Sequence, residues 1–294
     1  MSFMSEKDLK RIVSNLSIWK RNDERAPHKP LLLLLALAKL QHGESVLHYE
    51  DTRIKLKKLL IEFGPKRKTY HPEEPFVRLT TDKIWKLNKS VDKNNFSDRK
   101  LVAEQITGQF QSDVWDLLNA NGRLVQEITE QLLHEHFPDT IHQDLIEEIG
   151  LQFSMTTKRR RDPEFRNRVL KAYEYGCAIC GFNVRLGHNL VGVDAAHIQW
   201  HQAGGPDHEE NGIALCVLHH KLFDRGVFTI TNDREILVAE EAHGTHGFEE
   251  WLMKYHGTTV RAPIRPLYQP KITFLEWHIR EVFRGPARYS EKKL

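Results

Sequence analysis

Cysteine is scarce in this sequence, since the 294 residues include only three. Three thiols cannot all pair with one another, so a framework of disulfides is excluded as the basis of the fold. The N-terminal stretch "MSFMSEKDLKRIV" also lacks the apolar segment and the small-residue cleavage site of a secretory signal. We therefore expect a cytoplasmic protein whose cysteines stay reduced.

Long apolar runs are missing as well. The longest, residues 31–38, is far shorter than the ~20 residues that a helix needs to cross a bilayer, so we expect no membrane partner. A strong excess of one charge is also absent, because 43 Lys and Arg residues stand against 40 Asp and Glu residues. The resulting net charge of +3 is only weak evidence for a nucleic-acid partner.

The length is enough for about two domains, since most domains hold ~100–200 residues. Apolar residues recur at helical spacing up to about residue 150, with short strand-like stretches between them. A polar, basic connector follows, whose "KRRR" at 158–161 either tracks phosphates or is a solvated linker. We predict an α+β protein with a mostly helical domain at 1–151, a linker at 152–162 and a second domain at 163–294.

Several elements can be placed more closely. Pro30 stands where a helix favours its first residue, and the apolar "LLLLLALAKL" behind it predicts a helix buried in the centre of the first domain. The stretch "KRKTYHPEEPFVRLTTDKIWKLN" reads as a loop that leads into short strands. Pro163 predicts the start of a further helix, and "VFTITNDREILVAEEA" predicts a hairpin around Asn232 and Asp233.

All three cysteines take part in one pattern. Cys177 and Cys180 form a CxxC, and Cys216 with His219 forms a CxxH further along the chain. A lone CxxC is also compatible with a redox pair, but two such pairs supply the four thiolate and imidazole ligands that a tetrahedral zinc requires. Because all four positions of the zinc are then filled by protein, the pattern predicts a structural zinc site.

The assignment of His219 to zinc leaves its neighbour His220 for another task. His197 and Asn211 lie between the two zinc pairs. The series His197, Asn211, His220 resembles the motif of the HNH endonucleases, and "HHKLFDRGVFTI" resembles the end of that motif in one HNH subfamily. The resemblance implies a ββα-metal domain, with the first histidine on a strand, the asparagine in a loop and the last histidine on a helix.

The chemistry of phosphodiester hydrolysis suits these residue types. A neutral imidazole is suited to take a proton from water, which makes His197 the candidate general base. We assign His220 as a ligand of a catalytic divalent ion, Mg²⁺ or Mn²⁺, which would polarise the scissile phosphate. Asn211 is expected to hold the loop and His197 in position through its side-chain amide.

One position departs from the motif. Many HNH proteins have an acidic metal ligand directly before the first histidine, where this chain has Ala196. Asp194 lies on the same strand face as Ala196, so it is a candidate substitute ligand, and a solvated strand end is the alternative. Asp224, one helical turn after His220, is a candidate to orient that ring or to act as a second ligand.

The first 150 residues carry a second resemblance. The stretches "RNDERAPHKPLLLLLALAKL", "YHPEEPFVRL" and "HEHFPDTIHQDLIEEIGL" resemble the sulfur-binding domain of phosphorothioate-dependent HNH restriction endonucleases, a McrA-like type IV family. A reader of phosphorothioate needs an apolar surface for the poorly hydrated sulfur and cations for the remaining charge. The resemblance implies the following sulfur- and DNA-binding residues: Arg21, His28, Lys29, Tyr70, His71, Pro72 and Pro75.

A plainer interpretation remains open for the first of these stretches. In that interpretation Pro27 and Pro30 only delimit a loop before a buried helix, and His28 is an ordinary hydrogen-bonding residue. The second stretch departs from the family, which often has a Tyr-Pro pair where this chain has His71 and Pro72.

Together these observations predict a modification-dependent restriction endonuclease that binds phosphorothioated double-stranded DNA and cuts nearby. One alternative keeps the nuclease but reads a methylated or hydroxymethylated base, for which an aromatic pocket is expected. Another is a zinc-containing DNA-binding protein that does not cleave. A single nuclease site per chain favours a homodimer for cutting both strands.

Overall fold

The computed structural model describes residues 4–18, 24–152 and 163–289. The chain divides into two compact units, one within residues 1–158 and the other within 159–294. The predicted linker, apart from residue 152, and its "KRRR" stretch lie outside the described residues, so the linker limits stay a prediction. None of the described helices is both long and apolar enough to cross a membrane.

The N-terminal unit is built from helices around a small sheet. Its helices are α1 Glu6–Ser14, α2 His28–Gln41, α3 Tyr49–Phe63, α4 Glu73–Arg78, α5 Asp98–Ala103, α6 Ser112–Asn119, α7 Gly122–His136 and α8 His142–Ile149. Its strands are β1 Leu47–His48, β2 Trp85–Leu87 and β3 Thr107–Phe110. They form an antiparallel sheet in the order β1-β3-β2.

Helix α2 forms the centre of this unit, because residues 29–38 are all buried. The helix begins at His28 rather than at Pro30, so the prediction that Pro30 is its first residue is wrong. Pro30 is tolerated at the third position because the first four N–H groups of a helix have no partner within it. The second motif also differs from expectation, since part of it forms helix α4, for which Pro72 is the N-cap.

An aromatic row joins α3 and α4 to the sheet. The rings of Tyr49, Phe76, Trp85 and Phe110 follow one another edge to face, with centroids 5.0, 5.8 and 5.7 Å apart. The Trp85 indole N–H donates to the Phe76 carbonyl at 3.1 Å. Gly108 lies beneath this row, where an added Cβ would stand 2.4 Å from the Trp85 ring.

The C-terminal unit contains the predicted strand-strand-helix arrangement. Its strands are β4 Arg185–Leu186, β5 Asn189–Leu190, β6 Val193–His197, β7 Gly212–Cys216, β8 Phe228–Ile230 and β9 Ile236–Val238. Its helices are α9 Pro163–Ala172, α10 Val217–Asp224, α11 Phe248–Trp251 and α12 Ile272–Glu281. Strands β4 and β5, β6 and β7, and β8 and β9 form three antiparallel pairs, and α10 follows β7 directly.

Two predictions for this unit are confirmed. Helix α9 begins at Pro163, and β8 pairs with β9 as a hairpin around residues 232–233. Helix α9 packs closely on the β6–β7 pair, because a Cβ added to Gly212 would lie 2.3 Å from Val169. Gly212 is the register partner of His197, so the absence of a side chain there brings α9 against the strand that carries this histidine.

Candidate functional site

The three cysteines and His219 come together in the C-terminal unit. Their ligand atoms all lie within 4.8 Å of one another. The His219 Nδ1 atom is 3.1 Å from the Cys216 sulfur and 3.7 Å from the Cys177 sulfur, while the sulfurs of Cys180 and Cys216 are 3.9 Å apart. Hydrogen bonds with Cys180 and Cys216 lower the pKa of the Cys177 thiol, which favours the thiolate that binds metals. This donor set fits a tetrahedral zinc.

The backbone around the cluster places its ligands. The turn at the CxxC is closed by hydrogen bonds from the Cys177 N–H to the Phe182 carbonyl at 2.9 Å and from the Gly181 N–H to the Cys177 carbonyl at 2.8 Å. The Ala178 N–H donates to the Ala214 carbonyl on β7 at 2.7 Å, which fixes this turn beside the second pair. The Nε2 atom of His219 is 2.8 Å from the Trp251 carbonyl, so a proton on Nε2 leaves the Nδ1 lone pair facing the sulfurs.

The neighbouring ring of His220 has different partners. Its Nε2 atom lies 3.3 Å from the Asp224 carboxylate, and both side chains are buried. Side chains of consecutive residues on a helix point in different directions. The His219 ring therefore faces the thiol cluster, while the His220 ring points away from it. The Asp224 carboxylate therefore lies where it can orient the His220 ring or serve as a second ligand.

His197 lies at the end of β6 in a partly closed setting. Its Nε2 atom is 2.7 Å from the Asp207 carboxylate, and its ring stacks on Phe165 with centroids 4.1 Å apart. Only 12% of its side-chain surface is exposed. The Arg168 guanidinium donates to the Asp207 carbonyl at 2.8 Å, so helix α9 supplies contacts to both the ring and the loop that holds its carboxylate partner.

Asn211 is fully buried between the strands of the motif. Its side-chain oxygen accepts from the Gln199 N–H at 2.8 Å, and its amide donates to the carbonyls of Gln199 and Pro206, each at 3.0 Å. These bonds tie both ends of the loop after His197 to one side chain. Gly205 passes so close that an added Cβ would stand 1.9 Å from the Gln199 carbonyl oxygen.

Asp194 is engaged by helix α9. Its carboxylate accepts from the Arg166 Nε at 2.7 Å, and Arg166 also donates to the Val193 carbonyl at 3.1 Å. Among the residues that the structure describes, two groups bring three or more ligand atoms within 4.8 Å, and neither contains Asp194 or His220. A catalytic ion at His220 would therefore depend on few protein ligands, with Asp224 as the acidic group beside it.

Residues of both N-terminal motifs line one cavity of about 810 Å³. Among the residues that the structure describes, its lining consists of Ser17, Ile18, Ala26, His28, Lys29, His71, Glu74, Pro75, Arg78 and Thr81. The wall combines apolar surface with cationic side chains, as a phosphorothioate reader requires. None of these lining residues is a Phe, Tyr or Trp.

Lys29 lies at the edge of this cavity but its charge is balanced inside the protein. Its Nζ atom is 2.5 Å from the Asp82 carboxylate, and the two side chains are only 8% and 3% exposed. The other oxygen of Asp82 accepts from the Ser17 N–H at 2.8 Å. Asp82 thus connects helix α2 to the segment after α1, and both of its partners line the cavity.

The other predicted residues of the cavity differ in their exposure. Burial, followed by the charges of His71 and Arg67, lowers the pKa of His28 to about 4, so this ring is neutral at physiological pH. His71 is 55% exposed and contacts Glu73 at 2.9 Å. Tyr70 accepts from the Arg67 N–H at 3.3 Å. Neither Tyr70 nor Pro72 belongs to the lining, and Arg21 lies outside the described residues.

Sequence reasoning missed three side chains that these sites use. Asp207, the partner of His197, lies in the loop between His197 and Asn211, and no local pattern marks it as that partner. Asp82 is separated by a long stretch of chain from Lys29, so no local pattern indicates their pairing. Arg78 lines the cavity and pairs with Glu74 one helical turn earlier. Its one sequence signal is its place next to the last residue of "YHPEEPFVRL".

Two protein-family models match this chain, one in each half. Residues 6–154 match the protein family described as ScoMcrA-like, DNA sulfur-binding domain, and residues 177–231 match the HNH endonuclease family. A search of curated proteins found no match.

Several solved structures are similar to parts of this chain. The sulfur binding domain of SprMcrA complexed with phosphorothioated DNA is 25% identical over 50% of this chain and 95% of that chain, with a TM-score of 0.44. The corresponding ScoMcrA complex is 19% identical over 48% and 94% of the two chains, with a TM-score of 0.42. The modification-dependent TagI restriction endonuclease is 24% identical over 40% and 37%, with a TM-score of 0.30.

The family match to the sulfur-binding domain covers half of the chain, and the second match adds the nuclease. This chain therefore belongs to the ScoMcrA-like DNA sulfur-binding domain family, and it joins that domain to an HNH endonuclease domain.

Proposed function

We propose that the 810 Å³ cavity receives the phosphorothioate group and that the His197–Asn211–His220 site cuts the DNA. The observation that carries the first part is that His28 and Lys29 of one motif and His71 and Pro75 of the other line the same cavity. Ile18, Ala26 and Pro75 would contact the sulfur, and Arg78 would contact the charged oxygen. Arg21, by its resemblance to the family, is a further candidate for phosphate binding.

The neutrality of His28 supports this assignment. A sulfur atom in place of oxygen keeps the negative charge but is larger and more weakly hydrated. An ordinary phosphate oxygen loses its bound water on entering the cavity, and a neutral imidazole beside apolar side chains offers few hydrogen bonds in exchange. Discrimination against unmodified DNA therefore arises from the poor solvation of that oxygen in the cavity. A modified-base reader would instead need an aromatic pocket for a flipped base, and the described residues that line this cavity include no Phe, Tyr or Trp.

For the nuclease, we assign His197 as the general base and Asp207 as its positioning residue. With the proton on Nε2 donated to Asp207, the lone pair on Nδ1 is the one that would accept a proton from water. The stacked ring of Phe165 restricts rotation of the imidazole. Asn211 holds the loop between Gln199 and Pro206, and it therefore keeps the strand end and the Asp207 segment in register.

Two kinds of ion would complete the site. Zinc would be held by Cys177, Cys180, Cys216 and His219 as a structural ion. A divalent ion, Mg²⁺ or Mn²⁺, held with His220 would polarise the scissile phosphate and stabilise the departing oxygen. Asp224 would fix the His220 ring, while Asp194, paired with Arg166, is the weaker candidate for an acidic ligand.

We further propose that the enzyme acts in the cytoplasm on cellular or incoming DNA and that two copies cooperate on a duplex. Each chain has one HNH site, which cuts one strand at a time. Sedimentation of the full chain with a phosphorothioated duplex should show a complex of two chains, and a one-to-one complex that cuts both strands would contradict the dimer.

The central experiment compares matched duplexes with and without one phosphorothioate, in Mg²⁺ or Mn²⁺. We expect binding and cutting of the sulfur-containing duplex only. Arg78→Ala should weaken its binding at least tenfold, the range of a charged hydrogen bond. The matched control is Arg123→Ala, since Arg123 is also exposed and lies near a Glu one turn away, Glu127, but does not line the cavity. Equal binding of both duplexes by the native chain would exclude the sulfur reader.

A further inference from the structure

Three potential metal ligands meet where helix α7 joins helix α8. His134 lies in the last turn of α7, Asp139 begins the short turn Asp139–Ile141, and His142 is the first residue of α8. Ligand atoms of all three lie within 4.8 Å of one another. The cluster belongs to the N-terminal unit, and neither the sulfur cavity nor the nuclease site uses it.

The ring nitrogens of this cluster are unusually poor in partners. His142 is 2% exposed, and its Nε2 atom is 2.8 Å from the Phe137 carbonyl. Its Nδ1 atom is buried without a hydrogen-bond partner, and the same is true of both ring nitrogens of His134, among the residues that the structure describes. Buried polar atoms in native proteins are nearly always satisfied, so three such nitrogens in one place require an explanation.

The arrangement fits a metal ion better than a hydrogen-bonded pair. A proton on His142 Nε2 that is donated to a carbonyl leaves the Nδ1 lone pair for a metal, as in many protein metal sites. The His134 Nδ1 atom lies 3.4 Å from the Asp139 carboxylate, which is long for a hydrogen bond. Two ligands about 2.1 Å from a tetrahedral zinc are themselves about 3.4 Å apart.

We infer that His134, Asp139 and His142 bind a second zinc-class divalent ion, which joins α7 to α8 in the reader domain. Two imidazoles and one carboxylate suit zinc and related transition metals rather than Mg²⁺. The side chain of Asp139 is 34% exposed, so the ion can enter from solvent and keep water as a fourth ligand. The Cys177 cluster differs, since its four protein ligands leave no such position.

The first test counts zinc in the full chain after expression with zinc and extensive desalting. We expect His134→Gln and Asp139→Asn each to hold one zinc per chain fewer than the native protein, by elemental mass spectrometry. The matched control is His136→Gln, on the same helix two residues further along and outside the cluster, which should keep the native zinc content. Binding to phosphorothioated DNA verifies that each variant is folded. Native zinc content in His134→Gln would overturn the proposal.

A second measurement decides the case without any variant. Crystals of the full chain grown with a stoichiometric amount of added zinc should give anomalous scattering at the zinc edge, with one peak between His134, Asp139 and His142. A peak at the Cys177 cluster serves as the internal control. A clear peak there with no peak at the His134 cluster would refute the second site, even if a variant fails to fold.

Discussion

The HNH site and the cavity lined by His28, His71 and Arg78 are formed from the sequence in two different ways. The nuclease site uses rare residues at short, fixed spacings, and most of its members lie on β6, β7 and α10 or in the loop between them. The cavity combines two histidines, His28 and His71, with common residues such as Ile, Ala, Pro, Arg and Lys, from segments far apart in the sequence. Metal ions restrict which residue types can form a site, whereas a soft and weakly hydrated sulfur atom mainly restricts the shape and the hydration of the site.

The two sites also manage charge differently. The nuclease unit places acidic partners beside its imidazoles, with Asp207 on His197 and Asp224 on His220. The cavity also pairs charged residues with acids, Lys29 with buried Asp82 and His71 with Glu73, but it keeps His28 neutral by burial. A catalytic imidazole needs a partner that orients the ring and stabilises its positive charge. A sulfur-binding cavity needs a wall that does not bind ordinary phosphate oxygen tightly.

The largest expected effect is the loss of the thiol cluster. Cys177→Ser should release zinc and unfold the nuclease unit, because a structural zinc contributes on the order of 10 kcal/mol to folding. Cleavage should vanish while the full chain still binds phosphorothioated DNA through its N-terminal unit. Elemental analysis should find one zinc per chain fewer than in the native protein, and limited proteolysis should detect the unfolding. A variant that has lost this zinc and still cuts normally would contradict a structural zinc.

The next effect concerns chemistry without unfolding. His197→Ala should lower the cleavage rate by about 10²–10⁴-fold, the contribution of a general base, and leave DNA binding unchanged. Asp207→Asn should cause a smaller loss, since it only orients the ring. His201→Ala is the matched control, because His201 is exposed and its ring centre lies 6.0 Å from that of His197. Single-turnover cleavage at saturating enzyme separates these cases, and full activity in His197→Ala would remove its assigned role.

A third experiment asks whether Lys29 supports the fold or binds DNA. Lys29→Met leaves the Asp82 carboxylate buried without its cation, so the free energy of unfolding should fall by about 3–5 kcal/mol. The double variant Lys29→Met/Asp82→Leu removes both charges and should recover most of that loss. Denaturant unfolding measures both values. If Lys29→Met instead weakens DNA binding at unchanged stability, Lys29 contacts the phosphate directly.

The smallest expected effect is a pH dependence from His28. Its pKa is about 4 in the folded chain and about 6.5 when unfolded, so the unfolded state binds the extra proton between these values. The stability that this contributes is complete above pH 6.5 and is lost as the pH falls towards 4. The native protein should therefore lose stability over this window more steeply than His28→Gln, by up to about 1.4 kcal/mol per pH unit. If the free energy of unfolding changes with pH in the same way in both proteins, His28 can still take up a proton in the folded chain.

The sequence predicted the nuclease half in most of its detail. The spacing of Cys177 and Cys180 and of Cys216 and His219 predicts that the four side chains form one cluster, because a short turn leaves few ways to arrange each pair. The start of α9 and the β8–β9 hairpin followed from proline and turn residues. The sequence did not indicate Asp207, since a loop residue ten positions from His197 becomes its partner only when Asn211 has closed the loop.

Less of the N-terminal half could be predicted from the sequence. The resemblance identified residues of the cavity, but it did not indicate that Lys29 would be buried against Asp82 or that Arg78 would line the wall. The start of α2 was misplaced by two residues, because proline is acceptable anywhere in the first turn of a helix. The second motif is predicted to be a loop, although the six residues after Pro72 form helix α4.

By itself, the sequence determined which side chains can serve as metal ligands and that the adjacent histidines 219 and 220 cannot share one task. Those conclusions rest on ligand chemistry and on helical geometry, which act over a few residues. The tertiary structure alone decided which charges are neutralised, as for Lys29 and His28, and which ring nitrogens are left without partners, as at His134 and His142. Desolvation is the physical reason, since it depends on everything that packs around a group and on no single stretch of chain.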